Sequence, residues 1–151
     1  ELHDDNAQHL AQHGREFGSV TGRPRRCGWL DLPMLRKAVT LNSIDALGVT
    51  KIDVLDGLAT IKICTHYHCN GQELLLPPED LEMLTNCEPV YAELPGWHES
   101  SHGITEFTKL PVHAQQYLNK LAECLGIPIS FVSTGPERNA IIFVDHPFAL
   151  I

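Results

Sequence analysis

No stretch of this sequence is apolar for the ~18 residues that a membrane-spanning helix needs, and its opening residues do not read as a charged-then-apolar secretory leader. Positive charge is scarce: 11 Lys and Arg stand against 19 Asp and Glu, a net charge of −8 with histidine neutral. Nucleic acid and anionic lipid are therefore disfavoured as general partners. The five cysteines are an odd number without the spacing of a disulfide framework, so reduced thiols in a cytoplasmic setting are expected. No Gly-x-x-x-x-Gly-Lys-Ser/Thr phosphate loop is encoded. There is no Gly-x-Ser-x-Gly nucleophile motif and no paired Cys-x-x-Cys either. What remains is an ordinary globular composition, 43% hydrophobic and 20% charged over 151 residues, enough for one domain with a real core.

The first residue is Glu1 rather than Met, and residues 1–15 read as a polar lead-in, the end of a truncated upstream element. Residues 17–28 hold three glycines, a proline and three arginines, which indicates a shaped loop. Pro24 holds it extended, so Arg23 and Arg25 share a side and Arg26 points away. Asp31 is a good N-cap for a helix with Pro33 in its first turn and Met34, Leu35, Ala38, Val39 and Leu41 as its apolar stripe, ending near Asn42-Ser43. Leu47 to Leu55 reads as a short buried strand. Thr60 to His68 alternates, with Ile61, Ile63, Thr65 and Tyr67 on one face and Lys62, Cys64, His66 and His68 on the other. Asn70-Gly71 predicts a hairpin turn into a strand over 73–76. A short helix is expected over 79–84, a strand over 89–94, and the best helix from Pro111 to a stop at Gly126. Strands over 129–132 and 140–144, the latter before Pro147, complete an α/β fold, a mixed sheet covered by helices.

Chemistry concentrates at two strand ends. Thr50-Lys51-Ile52-Asp53 fits a guanine reader, because a carboxylate offers two coplanar acceptors to the base's adjacent ring N–H and exocyclic amine. The Lys51 stem can lie along the base with its ammonium in water. By itself the tetrapeptide also fits a plain strand end. Ser133-Thr134-Gly135 follows another strand, and its glycine admits a ligand close to backbone N–H groups. In such sheets ligands collect at the carboxyl ends of strands. Arg23 and Arg25 are candidate anion clamps. Zinc on Cys64, His66, His68 and Cys69 is set aside: three of them share a strand face, but Cys69 points off it. His98 and His102 have no identifiable partner in the sequence.

Several blocks then point one way. Thr21-Gly22-Arg23-Pro24-Arg25-Arg26-Cys27-Gly28-Trp29-Leu30-Asp31 resembles the aspartate-binding loop of the adenylosuccinate synthetase family. The blocks at 41–43, 50–57, 88–91, 94–97, 127–129 and 133–138 resemble the same family in the same order, from about Glu16 to the C-terminus. The resemblance implies a P-loop-like fold. It also implies a GTP-dependent ligase joining IMP and L-aspartate into adenylosuccinate, GDP and phosphate, with Mg²⁺, in AMP biosynthesis, as a cytoplasmic homodimer. It assigns Ser19, Val20, Thr21, Gly22, Arg23, Pro24 and Arg25 to the aspartate loop, with Arg23 also on IMP. GTP falls to Arg25, Lys51, Ile52, Asp53, Ser133, Thr134 and Gly135. Val20 stands where many members carry a second threonine, which removes one hydroxyl from that loop.

By the same resemblance these residues are the C-terminal part of the enzyme, with residues 16–151 in its domain. The phosphate loop, catalytic residues and metal ligands lie in the N-terminal part. No catalytic or metal residue is expected here, no cofactor is expected on these residues alone, and no turnover without the remainder. The alternative is a free-standing guanine-nucleotide-binding or regulatory module without catalysis.

Overall fold

Three helices begin on an aspartate whose side chain caps the first turn. In the computed structural model, which describes residues 1–144, α1 (Asp5–His13) starts after Asp4, which accepts from the Ala7 N–H. Helix α2 (Leu32–Asn42) starts on Asp31, which accepts from Met34 N–H at 3.1 Å. Of its expected apolar stripe, Leu35, Ala38 and Val39 are half-buried and Met34 and Leu41 are exposed. The fully buried places go instead to Leu32 and Pro33 in the first turn. The short α3 (Leu81–Thr85) is capped by Asp80. Helix α4 (Val112–Leu125) buries Ala114, Tyr117, Leu118 and Leu121 on one stripe. It stops at Gly126, whose φ of 70° is the left-handed C-cap that glycine takes without strain.

The strands form two mixed sheets. The first is built on β3 (Thr60–Cys69), with β1 (Leu30–Asp31) parallel to it and β4 (Gln72–Leu74) and β5 (Glu88–Pro95) antiparallel. Asn70 and Gly71, both at positive φ, make the expected turn from β3 to β4. In the second, β2 (Leu47–Val49) runs parallel to β6 (Ile129–Ser133), and β7 (Ile141–Phe143) returns antiparallel. One core joins them: Leu32, Ile52, Ile61, Ile63, Trp97, Leu118, Val132 and Ile142 are all within it and almost wholly shielded from solvent. Residues 1–15, read from sequence as a polar lead-in, carry α1, and its Leu10 joins that core. Pro147 and the rest of 145–151 lie outside the described residues.

Two readings of the sequence are corrected. The strand expected over 47–55 ends at Val49, and Ile52–Leu55 is a 3₁₀ turn entered through Lys51 at φ 62°. Ile52, Val54 and Leu55 look strand-like, but the chain must bend here to bury Ile52. The alternation along β3 also breaks, because Cys64 pairs with Tyr91 and His66 with Val90, leaving Thr65 as a bulge. From there the faces exchange. The register puts Tyr67 with Cys64, while His66 and His68 join the side of Ile61 and Ile63. The three residues read as sharing a face, Cys64, His66 and His68, do not share one.

Candidate functional site

The parallel pairing of β2 with β6, with Val49 opposite Val132, brings both strands to their carboxyl ends side by side. Beyond them lies a cavity of about 570 Å³ lined by Thr50, Lys51, Asp53, His102, Ser133, Gly135 and Glu137, among others. The two segments singled out in the sequence thus meet at one site. Lys51 N–H donates to Ser133 Oγ at 2.9 Å, stitching one strand end to the other. Gly48 allows the strands their spacing, for a Cβ there would stand 2.2 Å from the Phe131 ring.

Asp53 sits on the 3₁₀ turn with its side chain 19% exposed. Its Oδ1 is buried without a hydrogen-bond partner, and its Oδ2 is 3.4 Å from His102 Nδ1. A buried carboxylate oxygen left unpaired is costly and is a ready acceptor for an incoming donor. Thr134 is fully buried and serves the bend itself: its hydroxyl donates to Ile104 O at 2.8 Å and its N–H to Ala140 O at 2.9 Å. Gly135 leaves room for its neighbours, since a Cβ would stand 2.9 Å from both His102 Cε1 and Glu137 Oε2 and make those side chains shift. Ile52 is core and does not line this cavity, though it lines the neighbouring one described below.

The arginine loop folds back on itself. Phe17 and Pro24 form an antiparallel bridge, Gly18 N–H donates to Arg23 O at 2.8 Å, and Gly22 takes φ 65° at the tip. Val20 is 94% exposed, and Thr21 Oγ1 accepts from Arg23 N–H at 3.4 Å. The loop joins the cavity through Glu16, which accepts from Lys51 Nζ at 2.5 Å and Arg25 Nη1 at 3.3 Å. The Lys51 ammonium, and behind it Arg25, hold the Glu16 carboxyl below its usual range. Lys51 Nζ also donates to Gly14 O at 2.8 Å, so its ammonium is held by two partners on a side chain still half exposed to water. Arg25 and Lys51 line a second cavity of about 620 Å³ with Arg26, Trp29 and Tyr117. Arg23 lines neither of these two cavities, so the expected pairing of Arg23 with Arg25 is replaced by Arg25 with Arg26, which also lies 3.7 Å from Glu1.

Glu16 and Asp56 escaped the sequence reading, and His102 stood there without its partner. Glu16 links the two arms of the site, and His102 faces Asp53 from 49 positions away. Asp56 accepts from Trp97 Nε1 at 2.6 Å and from Ser101 N–H and Oγ–H at 2.7 Å each, which holds the loop carrying His102. Only the Asp56 network had a local hint, its acid standing just before Gly57. Among the described residues no three His, Cys, Asp or Glu side chains gather as a metal site, and no helix is long and apolar enough to cross a membrane.

The comparisons with known proteins agree with one another. The adenylosuccinate synthetase family model matches residues 1–142. The chain is 50% identical over 148 residues to adenylosuccinate synthetase of Thioalkalivibrio sulfidiphilus, which covers 98% of this chain and 34% of that one. With the Nitrosococcus oceani enzyme it shares 49% over 150 residues, 99% of this chain and 35% of that one. The solved structure of fully ligated adenylosuccinate synthetase from Plasmodium falciparum superposes with a TM-score of 0.90 at 39% identity, over 95% of this chain and 35% of that one. The chain therefore spans about a third of the length of the curated relatives it matches. With a family match running through α1, both strand ends and the arginine loop, the chain belongs to the adenylosuccinate synthetase family.

Proposed function

We propose that these residues are the C-terminal, base-reading and aspartate-holding part of a ligase that joins IMP to L-aspartate with GTP, giving adenylosuccinate, GDP and phosphate. The observation that carries this reading is the buried, unpartnered Oδ1 of Asp53 at the mouth shared by β2 and β6. Guanine supplies two adjacent donors to that carboxylate, and adenine cannot. Ser133 holds Lys51 in place by accepting its N–H, Thr134 shapes the bend, and Gly135 lets its backbone N–H reach the guanine carbonyl oxygen. The loop from Ser19 to Arg25 holds aspartate, Arg23 reaches IMP as well, and Arg25 turns from Glu16 toward GTP.

In the reaction the GTP γ-phosphoryl group passes to the hypoxanthine oxygen, converting a poor leaving group into a good one. The aspartate amine then displaces it as phosphate. These residues supply orientation: they fix the base at one end of GTP and the amino acid beside IMP. Phosphate cradling and proton transfer belong to the remainder of the relatives' length, so the 151 residues alone bind nucleotide weakly and do not turn over. Mg²⁺, which the family implies, finds no ligand set among the described residues.

The test is titration of GDP into the chain and into Asp53→Asn, followed by amide chemical shifts at Asp53 and Gly135. Wild type shifts at both segments, and the variant binds about tenfold or more weakly. Equal binding by both proteins removes Asp53 from the base site.

A further inference from the structure

His102 has no partner legible in the sequence, and the fold gives it two. Its Nδ1 lies 3.4 Å from Asp53 Oδ2 and its Nε2 3.9 Å from Glu137 Oε2. An ionised carboxylate only accepts, so a hydrogen bond between the two is one that Nδ1–H donates. The backbone beneath the ring is pinned. His102 N–H donates to Ser100 Oγ at 3.2 Å, buried Ser101 is held by Asp56, and Gly103 N–H donates to Thr134 O at 3.0 Å. The ring edge lies against Gly135, where an added Cβ would stand 2.9 Å from Cε1. The imidazole thus spans the cavity from the carboxylate at one segment to the bend at the other.

In this arrangement one oxygen of Asp53 is engaged and the other is without a partner. Oδ2 faces the imidazole, and Oδ1 is buried with no partner. A base with one N–H toward the carboxylate needs only Oδ1. A base with two adjacent donors needs both oxygens and must displace His102. We propose, on the footing of the base-reading assignment above, that His102 is a specificity-determining gate on Asp53. It competes with the exocyclic amine of guanine and so sets how strongly the pocket prefers guanine over hypoxanthine. Gly135 gives the ring its seat, and Glu137 Oε2 stands 3.9 Å from Nε2.

In a polypeptide carrying the relatives' full length, the experiment compares GDP with IDP, which differ by that one amine, in wild type, His102→Phe, His102→Gln and Asp53→Asn. Binding is followed by amide shifts up to millimolar nucleotide, and the same spectra report whether each variant is folded. His102→Phe keeps a ring without a donor. It should tighten GDP while leaving IDP steady, widening the GDP-to-IDP ratio about tenfold, the worth of one charge-assisted hydrogen bond. His102→Gln keeps a donor and should stay near wild type, a rescue that loss of packing alone would not give. An unchanged ratio in His102→Phe overturns the gate. Parallel weakening of both nucleotides overturns it too, and makes the ring a stacking surface instead. If the gate fails while Asp53→Asn still abolishes the preference for GDP, the base-reading assignment stands. If Asp53→Asn changes neither nucleotide, or no nucleotide shifts any amide, both fall together.

Discussion

Gly48 offers a sharp test of how the two strand ends are held. A Cβ at this position would lie 2.2, 2.5 and 2.8 Å from three atoms of the Phe131 ring, all far inside contact distance. The ring is half-buried against β2, so it yields only by leaving its seat. Overpacking of this kind costs about 1–3 kcal/mol. Three ring atoms are involved, so Gly48→Ala belongs in the upper half of that range. The lower chain entropy of alanine in the unfolded state returns about 0.4–1 kcal/mol. The net loss is then about 1–2.6 kcal/mol. Phe131→Leu, which removes the clashing ring, should cost about 1–2 kcal/mol alone. The double variant should be about 1 kcal/mol more stable than the sum of the two, a coupling typical of touching side chains. Urea unfolding followed by tryptophan fluorescence reads these values from shifts in midpoint at constant slope. Gly96 is the control, because its Cβ would stand 1.8 Å from Leu58 O, a backbone atom that no side-chain change removes. Gly96→Ala should lose more than Gly48→Ala and show no rescue by Phe131→Leu. A Gly48→Ala protein as stable as wild type, or strict additivity with Phe131→Leu, refutes the packing argument.

Asp56→Ala strands three donors, from Trp97 and Ser101, and should cost about 3–5 kcal/mol, with the near-ultraviolet dichroism of Trp97 altered at temperatures where the fold persists; an unchanged melting temperature excludes the network as a support. The Glu16 pKa is depressed in the folded state, so its contribution is complete above its ordinary value of 4.5 and is lost as pH falls through the lower folded value. Glu16→Gln should therefore flatten the acid side of the stability profile and leave the alkaline side alone, and identical acid slopes count against the Lys51–Glu16–Arg25 chain. In a polypeptide carrying the relatives' full length, Arg23→Leu should raise the aspartate requirement at least tenfold with little change for GTP, measured by steady-state kinetics; equal effects on both would move Arg23 out of the aspartate loop.

How much of this was legible depended on whether the signal was local. Helix α4 was plain because Pro111, an apolar stripe and Gly126 are all local instructions. The hairpin at Asn70-Gly71 was equally plain, since both residues carry positive φ. Lys51 and Asp53 were identified by chemistry, and that they neighbour Ser133 followed from strand ends in an α/β sheet. The bend at Ile52 was hidden, because apolar and β-branched residues suit a strand and a buried 3₁₀ turn alike. The contact of His102 with Asp53 was hidden for a different reason: it exists only once the Asp56 network has folded a distant loop back. Glu16 looked like one more exposed acid until the arginine loop closed beside Lys51.

The extra residue at Thr65 gives β3 a slack that its neighbours lack. Cys64 and His66 face consecutive positions on β5, so excising Thr65 would restore uninterrupted pairing and leave every later side chain on its present side. Inserting one residue between His66 and Tyr67 would do the reverse, turning Tyr67 away from Asp31, whose Oδ2 accepts the Tyr67 hydroxyl at 2.5 Å. The ribbon is therefore forgiving of a shortening at one point and intolerant of a lengthening beyond it. What a deletion would sacrifice is the carbonyl that Arg36 grips at 2.9 Å, and with it a tether between helix α2 and the sheet.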